Sequence, residues 1–125
     1  MAGIVFFGTE HRDEIVQFYT DAVGADVWLE QTGCTILQHG NFLFGFCENE
    51  DTEDCGVVTF YYDSRDEVDG MYERLEDRAR DPPVENEAYD IYQFFADDPD
   101  GRTMEFQTFL HPVDDPCADT PPDGP

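Results

Sequence analysis

The sequence predicts an α+β fold built from two copies of a βαβββ module. The first observation is an internal repeat, in which Arg12-Asp13-Glu14-Ile15 recurs 53 positions later as Arg65-Asp66-Glu67-Val68. The second is a short run of β-branched and aromatic residues before each of these segments, which is typical of a strand. The third is that each segment continues with apolar residues at helical spacing and then with further strand-like runs.

Each copy is predicted to begin with a strand and a helix. Ile4–Gly8 and Val57–Tyr62 are the first strands, because both are rich in residues that favour extended backbone. Ser64 and Glu67 form a capping box that starts the helix of the second copy. Gly24 is placed to end the helix of the first copy in the left-handed conformation.

Three further strands follow each predicted helix. They lie roughly at residues 26–31, 34–39 and 42–47 in the first copy and at 84–88, 91–96 and 103–109 in the second. Thr-Gly and Gly-Asn pairs form the turns of the first copy. The acidic run Asp97–Gly101 forms the last turn of the second, and we expect its carboxylates to be solvated, since the spacing does not match a calcium loop.

The repeat places the whole fold in one domain. We expect this domain over residues 1–110, with modules at about 3–47 and 56–110 joined by an acidic linker. Residues 111–125 contain five prolines and no apolar period, so we expect an extended or disordered tail.

Charge limits the possible partners. The 125 residues include 30 acidic and six basic side chains, all six of them arginine, giving a formal net charge of −24 at pH 7. This charge repels nucleic acids and anionic membrane surfaces, and no apolar run is long enough to span a bilayer. The acidic residues are spread over the predicted fold, which resembles the cytoplasmic proteins of extreme halophiles. The alternative is an acidic protein that binds a cationic partner.

The cysteines give no metal or redox motif. Cys34, Cys47, Cys55 and Cys117 form no C-x-x-C pair, and no histidine lies at a zinc-like spacing from them. We expect four reduced thiols, as in a cytoplasmic protein.

Two segments carry a family resemblance. The closing run Asp98-Pro99-Asp100-Gly101-Arg102-Thr103-Met104-Glu105-Phe106 and the helix end Gln17–Gly24 resemble the vicinal-oxygen-chelate superfamily, which includes glyoxalases, bleomycin-resistance proteins and extradiol dioxygenases. The resemblance covers about residues 3–110. It implies that the two modules form a curved mixed sheet with a cupped cavity, and that the protein is a homodimer.

The resemblance also implies where a metal would bind. Metal-dependent members hold a divalent cation at four strand positions, which align here with Ile4, Phe44, Val57 and Glu105. Only Glu105 has a lone pair to offer, and one carboxylate is not enough for a transition-metal site. We therefore expect no metal and no cofactor.

Strand alternation predicts what lines the cup instead. If the four aligned positions face the cavity, a set of mostly aromatic residues faces it with Glu105. The candidate ligand-binding residues are Phe6, Phe42, Phe44, Phe46, Thr59, Tyr61, Glu105 and Gln107. Such a set is typical of a small-molecule pocket. The same aromatics could equally pack together as core.

The predicted function is a metal-independent small-molecule binding protein of the bleomycin-resistance type, with an unknown ligand. The alternative is a glyoxalase-related lyase or isomerase that uses Glu105 as its catalytic general acid and base. Glu105 could also be a structural remnant of an ancestral metal site.

Overall fold

A computed structural model describes residues 2–114, and the two predicted modules are confirmed. The first module consists of β1 Ile4–Thr9, α1 Arg12–Phe18 with a π-helical turn Tyr19–Val23, β2 Asp26–Gln31, β3 Cys34–His39 and β4 Phe42–Glu48. The second consists of β5 Val57–Tyr62, α2 Arg65–Leu75, β6 Val84–Asn86, β7 Ile91–Asp97 and β8 Thr103–Phe109. Most of the predicted tail lies outside the described residues. No helix between residues 2 and 114 is long and apolar enough to cross a membrane.

Each module forms its own four-stranded mixed sheet. The first sheet has the order β1-β4-β3-β2 and the second has the matching order β5-β8-β7-β6. The first strand of each module runs parallel to the last one, and the other pairs are antiparallel. Both sheets are curved and open, so β1 and β5 are edge strands.

Local sequence explains the helix ends. The Ser64 side chain accepts a hydrogen bond from the Glu67 amide at 3.2 Å, which confirms the predicted cap of α2. Gly24 ends the first helical segment with φ +90°, as predicted. His11 does not cap α1 with its side chain. Instead its amide donates to the Thr9 hydroxyl at 3.0 Å.

An aromatic core joins the two modules. The ring of Tyr19, which follows α1, stacks on Phe46 at 5.2 Å and meets Phe44 edge-on at 5.3 Å. Phe44 also contacts Phe60 of the second module, and Phe60 stacks on Phe106. All five rings are almost fully buried. The helix-facing sides of the two sheets therefore share one core, and their opposite faces are left open.

The Asp98 and Asp100 carboxylates of the acidic turn before β8 are buried, contrary to the prediction that they are solvated, whereas Asp97 is about half exposed. Asp98 accepts four hydrogen bonds, including one from Arg102 at 2.7 Å and one from the Tyr19 hydroxyl at 2.7 Å. Asp100 accepts a hydrogen bond from the Thr9 hydroxyl at 2.6 Å. Arg102 also donates to the backbone carbonyl of Glu53 in the linker. The turn thus ties the second module to the first, and the carboxylates of Asp98 and Asp100 are buried because the first module covers them.

Cys34 and Cys47 form a disulfide, so the prediction of four reduced thiols is wrong for this pair. The two-residue turn between β3 and β4 places them directly opposite each other on neighbouring strands. Their separation of 13 residues gives no sign of this until the strand register is known. Cys55 is free and exposed, and Cys117 lies outside the described residues.

Candidate functional site

The open face of the second sheet presents Glu105. In the register of the sheet, Thr59 on β5 lies opposite Glu105 on β8, and Glu105 lies opposite Phe95 on β7. Residues paired in this way share one face. The Thr59 hydroxyl donates to a Glu105 carboxylate oxygen at 2.9 Å. This is the one hydrogen bond that the Glu105 side chain makes within residues 2–114, so its second oxygen is open to a ligand.

Glu105 lies in the wall of a cavity of about 400 Å³. The cavity is lined by Asn86, Tyr89, Ile91, Gln93, Phe95, Glu105, Gln107 and Phe109. We call it the Glu105 cavity. It combines apolar and aromatic side chains with one carboxylate and three carboxamides. Apolar walls with a few polar groups are typical of a small-molecule site.

Three more of the predicted residues belong to this face. Gln107 lines the Glu105 cavity, and Thr59 holds the carboxylate. The ring of Tyr61 packs edge-on against Phe109 at 5.3 Å, so Tyr61 lies beside the same cavity. The structure therefore brings Thr59, Tyr61, Glu105 and Gln107 together, as strand alternation in the second module predicts.

The prediction for β4 was wrong by one residue. Phe44 and Phe46 are fully buried in the core, and Phe42 stacks on Phe44 on the same side of the strand. The two final turns differ in length: β3 and β4 are joined by two residues, but five residues separate Asp97 and Thr103. Aligning Gly40 with Gly101 therefore shifted β4 by one residue against β8, so that Phe44 rather than Gly45 was matched to Glu105.

The position equivalent to Glu105 in the first module is Gly45. Phe6 pairs with Gly45 just as Thr59 pairs with Glu105. The Phe6 ring lies over this glycine, because a Cβ built on Gly45 would be 2.6 Å from the Phe6 Cδ1 atom. Phe6 is thus on the open face, as predicted, but on the sheet that does not carry the Glu105 cavity. The surroundings of Gly45 on this face are apolar, since its partner on β3 is Ile36.

The residues at the aligned metal positions do not fit a divalent cation. With the corrected register these positions are Ile4, Val57, Gly45 and Glu105, and only Glu105 offers a ligand atom. Within residues 2–114 there is no group of three or more histidine, cysteine or acidic side chains that could hold a metal.

Sequence reasoning missed the contribution of β6 and β7. Gln93 and Phe95 line the Glu105 cavity from β7, and Asn86 and Tyr89 line it from the end of β6 and the following turn. Ile91, Gln93 and Phe95 alternate along β7 in phase with Glu105 and Gln107 across the sheet. Extending the alternation argument to β7 could therefore have identified them.

Known structures share this architecture. A glyoxalase/bleomycin resistance protein/dioxygenase from Nocardioides is similar with a TM-score of 0.72 and 17% identity, covering 90% of this chain and 85% of that chain. A lactoylglutathione lyase from Agrobacterium tumefaciens is similar with a TM-score of 0.70 and 18% identity, covering 86% of this chain and 92% of that chain. An integron cassette protein from the Halifax Harbour sewage outfall metagenome is similar with a TM-score of 0.75 and 18% identity, covering 87% of this chain and 98% of that chain.

The chain has the glyoxalase/bleomycin-resistance fold. At these identities the likeness concerns the fold alone. No protein-family model and no curated protein matches the sequence.

Proposed function

We propose that the protein binds a small molecule in the Glu105 cavity without a metal ion. The observation that carries this proposal is a partly exposed carboxylate, held by Thr59, in the wall of a cavity of about 400 Å³. A cavity of this size is within the range of small-ligand sites. Aromatic and apolar walls would bury the body of the ligand, while Glu105 and the carboxamides of Gln93 and Gln107 would orient it.

A second candidate function is a lyase or isomerase reaction with Glu105 as general acid and base. The observation that favours it is the second oxygen of Glu105, which accepts no hydrogen bond from residues 2–114 and can accept a proton from a ligand while Thr59 fixes the other oxygen. One structural neighbour is a lactoylglutathione lyase.

We further propose that the protein is a homodimer of the cytoplasm, and that it comes from a halophile. The apolar open face of the first sheet supports the dimer, since Phe6 is 48% exposed and Leu29, at the other end of its row, is 44% exposed. The edge strands β1 and β5 also leave backbone groups unpaired, and native proteins commonly cover such edges. A second copy would bury both features. The net charge of −24 supports the halophilic origin.

A thermal-shift screen of Glu105→Gln tests the binding proposal. The screen is run in molar KCl with small cations, aldehydes and aromatic metabolites. Glu73→Gln on α2 is the matched control, because it removes the same charge from an exposed helix position. We expect at least one compound to raise the melting temperature of the wild type and of Glu73→Gln but not of Glu105→Gln.

The same screen separates the candidate functions. Conversion of a stabilising compound by the wild type and not by Glu105→Gln would support the lyase or isomerase. If no compound distinguishes the variants and Glu105→Gln is at least as stable as the wild type, Glu105 is a structural remnant and the binding proposal is wrong.

A further inference from the structure

A second cleft lies between the two modules. It has a volume of about 410 Å³ and shares no lining residue with the Glu105 cavity. Its walls come from the β3–β4 turn of the first module and from β5 and the start of α2 in the second. They are formed by His39, Gly40, Asn41, Phe42, Thr59, Phe60, Tyr61, Tyr62, Asp63 and Glu67. We call it the intermodule cleft.

Aromatic rings surround the intermodule cleft on several sides. The His39 ring lies 4.7 Å from Phe60 and stands perpendicular to Tyr62 at 6.0 Å. Phe42 meets Phe60 edge-on at 6.1 Å. These contacts fix the rings before any ligand arrives. Aromatic faces attract cations through the negative charge of the π system.

The Tyr62 hydroxyl has no hydrogen-bond partner in the described part of the chain, although its oxygen is inaccessible to solvent. Leaving a buried hydroxyl unpaired costs about 1–3 kcal/mol. Burial also raises the pKa of Tyr62, so the group stays a neutral hydroxyl. A polar group left unpaired in the wall of a cleft is what a ligand with complementary polar atoms would satisfy.

Three of the remaining polar side chains of the cleft accept hydrogen bonds or carry negative charge. Burial lowers the pKa of His39, which keeps its imidazole neutral and leaves one ring nitrogen as an acceptor. Asp63 and Glu67 add two carboxylates, and no arginine lines the cleft. The nearby Arg74 is occupied by the backbone carbonyl of Asp21 at 3.1 Å. The cleft is therefore built to receive positive charge and hydrogen-bond donors.

We propose that the intermodule cleft is a second binding site, for a small organic cation in which a primary ammonium group is attached to an apolar or aromatic body. The N–H groups of the ammonium would donate to His39, to one of the carboxylates and, after a shift of the Tyr62 ring that exposes its oxygen, to Tyr62. The body of the ligand packs among the aromatic rings. This proposal does not depend on the proposed function, although the two sites adjoin at Thr59, which lines the cleft and donates to Glu105.

Benzylamine and benzyl alcohol are the probes that test this proposal, because they share the ring and differ in the charge. Binding is measured by saturation-transfer NMR and calorimetry in about 1 M KCl, where the screening length is about 3 Å and general attraction to the acidic surface is suppressed. We expect benzylamine to bind and benzyl alcohol to bind at least tenfold more weakly. Asp63→Asn should weaken benzylamine binding about tenfold, because it removes one of the two carboxylates of the cleft. The Asp63 side chain is exposed, so the substitution should not affect folding.

Tyr62→Phe gives a second, independent signature. It should weaken benzylamine binding and leave the melting temperature of the free protein unchanged or higher, because the lost hydroxyl has no hydrogen-bond partner within residues 2–114. Tyr92→Phe is the control, since the Tyr92 hydroxyl donates to Asp69 at 2.6 Å on the outer surface. It should leave benzylamine affinity unchanged.

Three results would overturn the proposal. The first is equal binding of the two probes, or no binding of either. The second is benzylamine binding that Asp63→Asn and Tyr62→Phe leave intact. The third is binding that only Glu105→Gln abolishes, which would place the probe in the Glu105 cavity and leave the proposed function standing. Failure of the Glu105→Gln screen alone would leave this proposal intact.

Discussion

Replacing Asp98 by asparagine removes one charge from the buried contact between the modules and keeps the size of the side chain. Asp98 is 2% exposed, and its carboxylate accepts hydrogen bonds from two backbone amides, from Arg102 and from Tyr19. The Arg102 guanidinium is fully buried and lies over the ring of Phe7 at 4.7 Å. In the variant the nearest carboxylate to this cation is the more distant Asp100, at 3.6 Å, and the linker carbonyl still accepts a hydrogen bond from it.

The expected loss of stability follows from these contacts. Removing one partner of a buried ion pair costs about 3–5 kcal/mol. Since Asp100 and the linker carbonyl still neutralise part of the Arg102 charge, we expect the lower end, about 3 kcal/mol. An unfolding entropy of about 2.1 cal/mol/K per residue then gives a fall in melting temperature of about 11 °C for a chain of this length.

Asp97→Asn in the same turn is the matched control. Asp97 pairs with Arg80 at 2.6 Å, and both side chains are about half exposed, so its loss should cost less than about 1 kcal/mol. Urea unfolding followed by far-ultraviolet circular dichroism measures both variants at one protein concentration. Equal m-values would show that the change is one of stability. A cost for Asp98→Asn no larger than for Asp97→Asn would refute the reasoning.

Four further outcomes are expected. The melting temperature should rise from 0.1 to 2 M KCl as salt screens the charge of −24, and a flat profile would make the acidic surface incidental. Elemental analysis after desalting should find no stoichiometric divalent metal, because Ile4, Val57 and Gly45 offer no ligand atom, and one equivalent per chain would contradict this expectation. The number of titratable thiols in the unfolded protein should rise by two per chain on reduction, and no rise would refute the disulfide. The double variant Cys34→Ser with Cys47→Ser should lower the free energy of unfolding by about 3 kcal/mol under oxidising conditions. The free energy of unfolding should fall as the pH drops below about 6.5, because burial lowers the pKa of His39 and the imidazole then binds a proton in the unfolded chain but not in the folded one. His39→Gln should show a smaller fall than the wild type, whereas His111→Gln, at an exposed position, should show the same fall. Equal falls in all three proteins would contradict the burial of His39.

Local chemistry made most of the fold predictable. The repeat set the order of elements, and the Ser64 cap and Gly24 end depend on side-chain and backbone preferences that act over a few residues. Strand alternation likewise placed Glu105 and Gln107 on one face.

The errors concern pairings across the structure. Phe44 and Phe46 were misplaced because register depends on turn length, and one residue of slip reverses the face of every side chain in a strand. The Cys34–Cys47 disulfide depends on the same register. The burial of Asp98 could not be predicted from its own turn, because the groups that bury it belong to the first module.

The two modules differ at equivalent positions, and this difference favours ligand binding on one sheet and association on the other. The second module has the hydrogen-bonded pair Thr59 and Glu105, and the first has Phe6 packed over Gly45. A side chain at Gly45 would need the Phe6 ring to move, since even a Cβ would lie 2.6 Å from it. A ligand side chain at Gly45 therefore requires the Phe6 ring to move as well. At this position the open face of the first sheet is apolar, and the matching position on the second sheet carries the Glu105 carboxylate.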